Sequence, residues 1–123
     1  MTTIKSYTDI EQSRKLTEIL PLESADMCYI NGDSGKISIG EWGNNVHDED
    51  DIPCWSLAAL ISILPRFIEF KGDKYYLRFM KEYVEYANDE ISITGRCLHT
   101  TGNDNLVDAC VDMIERLHEL KML

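Results

Sequence analysis

Residues 67–87 have the sequence FIEFKGDKYYLRFMKEYVEYA, and their secondary structure decides the fold. Aromatic residues are concentrated in this segment and favour strands, while Gly72 and Asp73 indicate a turn. Apolar residues also recur here at helical spacing, namely Tyr76, Phe79, Met80, Tyr83, Val84 and Ala87. We predict a meander of strands near 67–70, 74–80 and 82–87, with one helix over 74–87 as the alternative.

A helix and a hairpin are predicted in the N-terminal part of the chain. Thr8 and Glu11 have the spacing of a capping box, which predicts a helix over 8–20. Two short apolar segments, 27–30 and 36–39, flank a cluster of turn-forming residues. This arrangement predicts a β-hairpin.

A buried helix and an edge strand complete the middle of the chain. Pro53 suits the first turn of a helix, and the residues after it leave almost no polar face. We therefore predict a central core helix over 53–64 that buries Trp55. Residues 91–99 alternate weakly between apolar and polar, which predicts an additional edge strand.

The last helix is predicted over 105–121, with Asn103 or Asp104 as its N-cap. One face is apolar at helical spacing, as expected of a helix that packs on a core. The opposite face carries five acids, called here the acidic stripe: Asp104, Asp108, Asp112, Glu115 and Glu119. Like charges four residues apart cost a helix roughly 0.2–0.5 kcal/mol per pair, so the stripe does not help the helix itself. It predicts a surface that binds a partner.

These elements predict an α+β fold in a single domain, residues 1–123. The expected architecture is one antiparallel sheet of four to six strands, with the three helices on one face.

Charge narrows the classes of partner. The net charge is −10, which opposes binding to phosphate backbones and argues against direct nucleic-acid binding. Residues 66–81 are an exception, because five bases against two acids give this segment a net charge of +3. Such asymmetry predicts self-association or an oriented contact with a partner.

The expected compartment is the cytoplasm. The four cysteines, Cys28, Cys54, Cys97 and Cys110, form no C-x-x-C pair and are typical of buried thiols in a reducing environment. The first residues lack the apolar region of a signal peptide, and the apolar segments are shorter than the ~20 residues that a membrane span needs. We expect no contact with a membrane.

The acidic loop 41–51 offers the best candidate for metal chemistry. His47, Asp48, Glu49 and Asp50 lie close enough in sequence to contact one divalent ion. A solvated acidic loop is the simpler interpretation, and no cofactor is expected. Trp42, in the same loop, is predicted to be an exposed anchor for a partner.

Three segments carry a resemblance to known sequences. They are ESADM at 23–27, PCWSLAAL at 53–60, and NLVDACVDM at 105–113 continuing to LHEL at 117–120. Together they resemble small uncharacterised proteins that phages and mobile elements of gut anaerobic bacteria encode. The resemblance implies a stand-alone bacterial cytoplasmic domain with no catalytic residues to carry over.

Two hypotheses for function follow. The first is a protein-binding accessory or inhibitory module of a phage or mobile element, whose acidic stripe and Trp42 meet a basic protein surface. The alternative is a small metal-assisted enzyme that uses His47 with Asp48, Glu49 or Asp50. A binding module needs only a surface, whereas a hydrolase needs further ligands that the sequence does not supply.

Overall fold

A computed structural model describes residues 5–30, 36–39, 51–88 and 96–123. Within them lie three α-helices and two antiparallel sheets. The helices are α1 (Ile10–Thr17), α2 (Leu57–Ile63) and α3 (Leu106–Glu119); the strands are β1 (Met27–Ile30), β2 (Lys36–Ile39), β3 (Ile52–Cys54), β4 (Phe67–Phe70), β5 (Asp73–Phe79), β6 (Val84–Ala87) and β7 (Arg96–His99). The chain forms two compact units, one containing Lys5–Ile63 and the other containing Leu64–Leu123.

The unit Lys5–Ile63 contains a three-stranded sheet in the order β2-β1-β3. The hairpin predicted at 27–30 and 36–39 is confirmed, with Met27 opposite Ile39. The turn between its strands lies outside the described residues. The third strand, β3, pairs with the other edge of β1.

Strand β3 replaces the predicted start of the central helix. Pro53 lies opposite Cys28 in this strand, so the helix predicted from residue 53 begins four residues late, at Leu57. Proline is tolerated in β3 because the strand is at a sheet edge. Ser56 supplies the real cap: its Oγ accepts the Ala59 N–H at 3.2 Å.

The first helix is also displaced from its predicted start. Asp9, not Thr8, is the N-cap of α1, because Asp9 accepts the Gln12 N–H at 2.8 Å and Gln12 accepts the Asp9 N–H at 3.1 Å. The predicted capping box of Thr8 and Glu11 is therefore wrong by one residue. Thr8 is fully buried, and its hydroxyl lies 2.8 Å from that of Ser13.

Trp55 is a core residue, as predicted. It is completely buried, and its indole N–H donates to Ser24 Oγ at 2.9 Å. The thiols of Cys28, Cys54 and Cys110 are buried, as the sequence predicts, and none of the three is in a disulfide; the side chain of Cys97 lies outside the described residues.

The unit Leu64–Leu123 contains a four-stranded meander in the order β4-β5-β6-β7. The predicted meander is confirmed, and the alternative of one helix over 74–87 is wrong. The edge strand expected within 91–99 is β7, of which only Arg96–His99 is described. Strand β6 is buried at all four positions and packs against α3.

The last helix begins slightly later than its predicted cap allows. Asn105 is the N-cap of α3, in place of Asn103 or Asp104, and it accepts the Asp108 N–H at 2.9 Å. Seven residues of α3 are buried, including Cys110, Met113 and Leu117. The prediction of two opposed faces is confirmed, because the acids of this helix lie outside the buried set.

The α+β class is confirmed, but the single sheet is wrong. Two sheets form because 52–54 is a strand that extends the first hairpin, while the meander forms a sheet of its own. The helices do not share one sheet face, since α1 packs against β3 and α3 packs against β6. One domain over 1–123 stays a prediction.

We predict that Asp9→Ala lowers the free energy of unfolding by about 1 kcal/mol, since it removes the side-chain acceptor at the start of α1. Glu11→Ala is the control, because Glu11 is exposed and takes no part in the observed capping box. Urea unfolding followed by circular dichroism measures both. A larger loss for Glu11→Ala would contradict this cap assignment.

We also predict a loss of stability at alkaline pH that depends on Cys110. Burial raises the pKa of this thiol from its ordinary value of 9 to about 12. The buried neutral thiol makes its full contribution to the free energy of unfolding below pH 9. This contribution decreases as the pH rises toward 12, by at most about 1.4 kcal/mol per pH unit. Urea unfolding at pH 8 and pH 10.5 should show a smaller alkaline loss for Cys110→Ala than for the wild type; equal losses would contradict the assignment.

Candidate functional site

The metal candidates of the acidic loop lie outside the described residues. This applies to His47, Asp48, Glu49 and Asp50, and to the predicted anchor Trp42. Over 5–30, 36–39, 51–88 and 96–123, no group of three or more His, Cys, Asp or Glu side chains is placed to hold a metal ion. The metal-assisted enzyme therefore stays an untested alternative.

The acidic stripe follows the accessible side of α3, with Asp104 just before the helix. Asp104 and Glu119 are exposed, while Asp108, Asp112 and Glu115 are half-buried. Two of these acids have partners within the same unit. Asp108 accepts a hydrogen bond from the Asn105 amide at 2.9 Å, and Asp112 lies 3.4 Å from Arg116.

Arg116 links one acid of the stripe to the rest of the unit. It pairs with Asp112 and also donates to the His99 carbonyl oxygen at 2.8 Å, which ties α3 to the end of β7. The stripe is thus partly a structural feature of this unit. Its role in binding a partner stays a prediction.

A stronger candidate lies on β4 and β5. The residues 66–81, which include both strands and their connecting turn, are called here the aromatic hairpin. Of the nine large hydrophobic side chains that are exposed in the described part of the chain, five belong to it: Phe67, Phe70, Tyr76, Phe79 and Met80. Strand alternation divides them between two faces, with Phe67 and Tyr76 on one and Phe70 and Phe79 on the other. Contiguous exposed apolar side chains, such as Phe67 and Tyr76, are typical of surfaces that bind a partner.

Alternation along the strands explains which side chains are exposed. Phe67 lies opposite Tyr76, and Ile68 lies opposite Tyr75. Successive strand residues point to opposite faces, so the first pair shares one face and the second pair shares the other. Ile68 and Tyr75 are buried, whereas Phe67 is 40% and Tyr76 is 51% exposed. The face of Phe67 and Tyr76 is called here the outer face.

The outer face combines aromatic rings with cations. The rings of Phe67 and Tyr76 are in contact, with centroids 5.9 Å apart and planes inclined by 49°. Lys74 Nζ lies 4.8 Å from the centroid of Phe67, a cation–π arrangement. At the turn, Lys71 Nζ lies 5.3 Å from the Phe70 centroid.

Beside these rings is an open groove with a volume of about 500 Å³. Its walls come mainly from β5, through Lys74, Tyr76 and Arg78, and it continues to Asn88. The Asn88 amide donates to the Lys74 carbonyl oxygen at 2.8 Å, which fixes one end of the groove. The groove offers the aromatic ring of Tyr76 and two cations, with Asp73 as the acid among its lining residues.

A buried carboxylate lies next to the groove. Arg78 lies opposite Glu85 in the ladder, with 4.0 Å between Nη2 and Oε2. The Glu85 side chain is only 5% exposed, whereas Arg78 is 45% exposed. Arg78 therefore presents its planar guanidinium group at the groove. The carboxylate of Glu85, on the neighbouring strand, balances part of its charge.

His99 of β7 lies against an aromatic ring of the same unit. His99 stacks against Tyr83, with ring centroids 4.4 Å apart, and nothing in this contact requires a metal. The side chain of Cys97 lies outside the described residues.

Comparisons with known proteins do not assign a family. No family model, curated protein or solved structure matches the chain significantly. The phage or mobile-element origin therefore stays a prediction.

We predict that two charge reversals in the acidic stripe differ in their effect on stability. Asp108→Lys should lower the free energy of unfolding by about 1 kcal/mol, since it removes the contact with the Asn105 cap and places a cation in the first turn. Glu115→Lys should change it by less than about 0.5 kcal/mol, because this residue is in the middle of the polar face. Thermal and urea unfolding compare the two; equal effects would contradict the structural role of Asp108.

Proposed function

We propose that the protein is a protein-binding accessory or inhibitory module, in the phage or mobile-element setting that the resemblance implies, and that its contact surface is the aromatic hairpin. The exposed, contacting rings of Phe67 and Tyr76 on the outer face are the observation that carries this proposal. Leaving such side chains in water forgoes roughly 25 cal/mol for each Å² of apolar area, which a partner would recover.

The chemistry of the hairpin favours a protein partner. Aromatic residues, Met and Arg are enriched at the centres of protein interfaces, and Tyr and Arg are frequent hot spots. The outer face supplies Phe67, Tyr76 and Arg78 together, and the contact of the two rings limits the side-chain entropy lost on binding.

Charge complementarity points to an acidic surface on the partner. The hairpin has a net charge of +3, and Lys74 and Arg78 border its groove. This differs from the basic partner expected for the acidic stripe, where Asp108 and Asp112 already have local partners. Nucleic acid remains disfavoured, because the whole chain carries −10 and repels a long polyanion.

The double variant Phe67→Ser with Tyr76→Ser tests the proposed surface. We expect it to fold and to bind its partner at least tenfold more weakly, a loss of about 1.4 kcal/mol. Capture from a lysate of the source organism with the wild type identifies the partner by mass spectrometry, and calorimetry with the purified partner measures both affinities.

Leu22→Ser is the matched control, because Leu22 is 40% exposed, as Phe67 is, but lies outside the hairpin. It should retain the wild-type affinity. Wild-type affinity in the double variant, or equal weakening by Leu22→Ser, would refute the assignment of this surface.

A further inference from the structure

Among the described residues, strand β4 lies at the edge of the meander. In the strand order β4-β5-β6-β7, its neighbour is β5. It has four residues, and both Phe67 and Phe70 are exposed, by 40% and 43%. An edge with exposed aromatic residues and few charges is a template for another strand.

The register shows which main-chain groups of β4 point away from the sheet. The Leu77 N–H donates to the Arg66 carbonyl oxygen at 3.0 Å, so residues 66 and 77 form a hydrogen-bonded pair. Hydrogen-bonded and non-hydrogen-bonded pairs alternate along an antiparallel ladder. The pairs Phe67 with Tyr76 and Glu69 with Lys74 are therefore non-hydrogen-bonded.

This alternation leaves a two-residue template at the edge. In a non-hydrogen-bonded pair, the N–H and C=O groups of each residue point away from the paired strand. Those of Phe67 and Glu69 are thus directed outward from β4. On the other side of β5, the Lys74 carbonyl points toward the neighbouring strand, where Asn88 donates to it, as this alternation requires.

We propose that an extended acidic segment of the partner adds to β4 as a fifth strand of the sheet. This rests on the proposed function, for which it supplies the partner's chemistry and its mode of binding. The main chain of the segment pairs with Phe67 and Glu69, and this form of recognition gives affinity through main-chain bonds and specificity through alternate side chains.

The side chains around β4 specify the pattern of the incoming segment. On the outer face, an acid beside Phe67 comes within reach of Lys74, whose ammonium already lies over that ring. On the opposite face, apolar residues extend the surface of Ile68 and Phe70. The segment is therefore expected to alternate acidic and apolar residues.

Charge selects this occupant over a second copy of the chain. Pairing β4 with itself brings together two hairpins that each carry a net charge of +3. An acidic segment instead brings the opposite charge to the five bases of the hairpin.

The probe is a dye-labelled octapeptide of alternating Glu and Val, titrated into the intact protein by fluorescence anisotropy. We expect saturable binding, and at least tenfold weaker binding of the matching Lys and Val peptide. Two further Glu and Val peptides carry N-methyl groups at alternate residues, one at the odd positions and the other at the even positions. One of the two should bind at least tenfold more weakly than the unmethylated peptide, because its methyl groups replace the N–H donors that face β4.

A matched pair of substitutions tests the same bonds from the protein side. Glu69→Pro removes the outward N–H, and Glu69→Thr removes the same carboxylate but keeps the N–H. Since edge strands tolerate proline, both should fold by circular dichroism. We expect Glu69→Pro to weaken the peptide at least tenfold relative to Glu69→Thr. Should Glu69→Pro fail to fold, the N-methylated peptides decide the question alone.

The outcomes separate this inference from the proposed function. If the Phe67 and Tyr76 double variant loses its partner while Glu69→Pro and the N-methylated peptides bind normally, the function stands and strand addition is wrong. Absence of peptide binding at millimolar concentration, or equal binding of the Lys and Val peptide, also overturns the inference. A dimer in sedimentation equilibrium that Glu69→Pro abolishes would assign the edge to a second copy and overturn the acidic occupant.

Discussion

The turn at Lys71 and Gly72 is the constraint on which the candidate site depends. Both residues have positive φ, at 52° and 85°, as a two-residue type I′ hairpin turn requires. This turn sets the register in which Phe67 meets Tyr76 and Ile68 meets Tyr75. A slip of one residue would exchange the two faces, so the exposed aromatic pair exists only because the turn has this length.

The rest of this unit holds the hairpin against a buried layer. Strand β6 is buried throughout and packs against α3, and the Tyr86 hydroxyl donates to the Pro65 carbonyl oxygen at 2.7 Å, just before β4. Buried Ile68 and Tyr75 therefore anchor the inner side of the hairpin, while Phe67 and Tyr76 on its outer side remain accessible. Packing of this kind favours binding, because it leaves less conformational entropy to be lost.

The sequence allowed the strands to be predicted where alternation and turn residues agreed, as in 27–30, 36–39 and 67–70. It misled at Pro53, because a proline before an apolar run is compatible with both an edge strand and a helix start. The outer face was not found from the sequence, since Phe67, Ile68, Tyr75 and Tyr76 are all apolar. Alternation alone cannot distinguish the buried pair from the exposed pair when both faces carry such residues.

NMR of the unbound protein can measure the register of the hairpin and the exchange of its amide protons. We expect a strong contact between the Hα atoms of Phe67 and Tyr76, because their pair is the closer, non-hydrogen-bonded type. We also expect slow amide exchange for Ile68 and Phe70 and fast exchange for Phe67 and Glu69. The reverse alternation, or helical contacts between residues three apart over 74–87, would contradict this register.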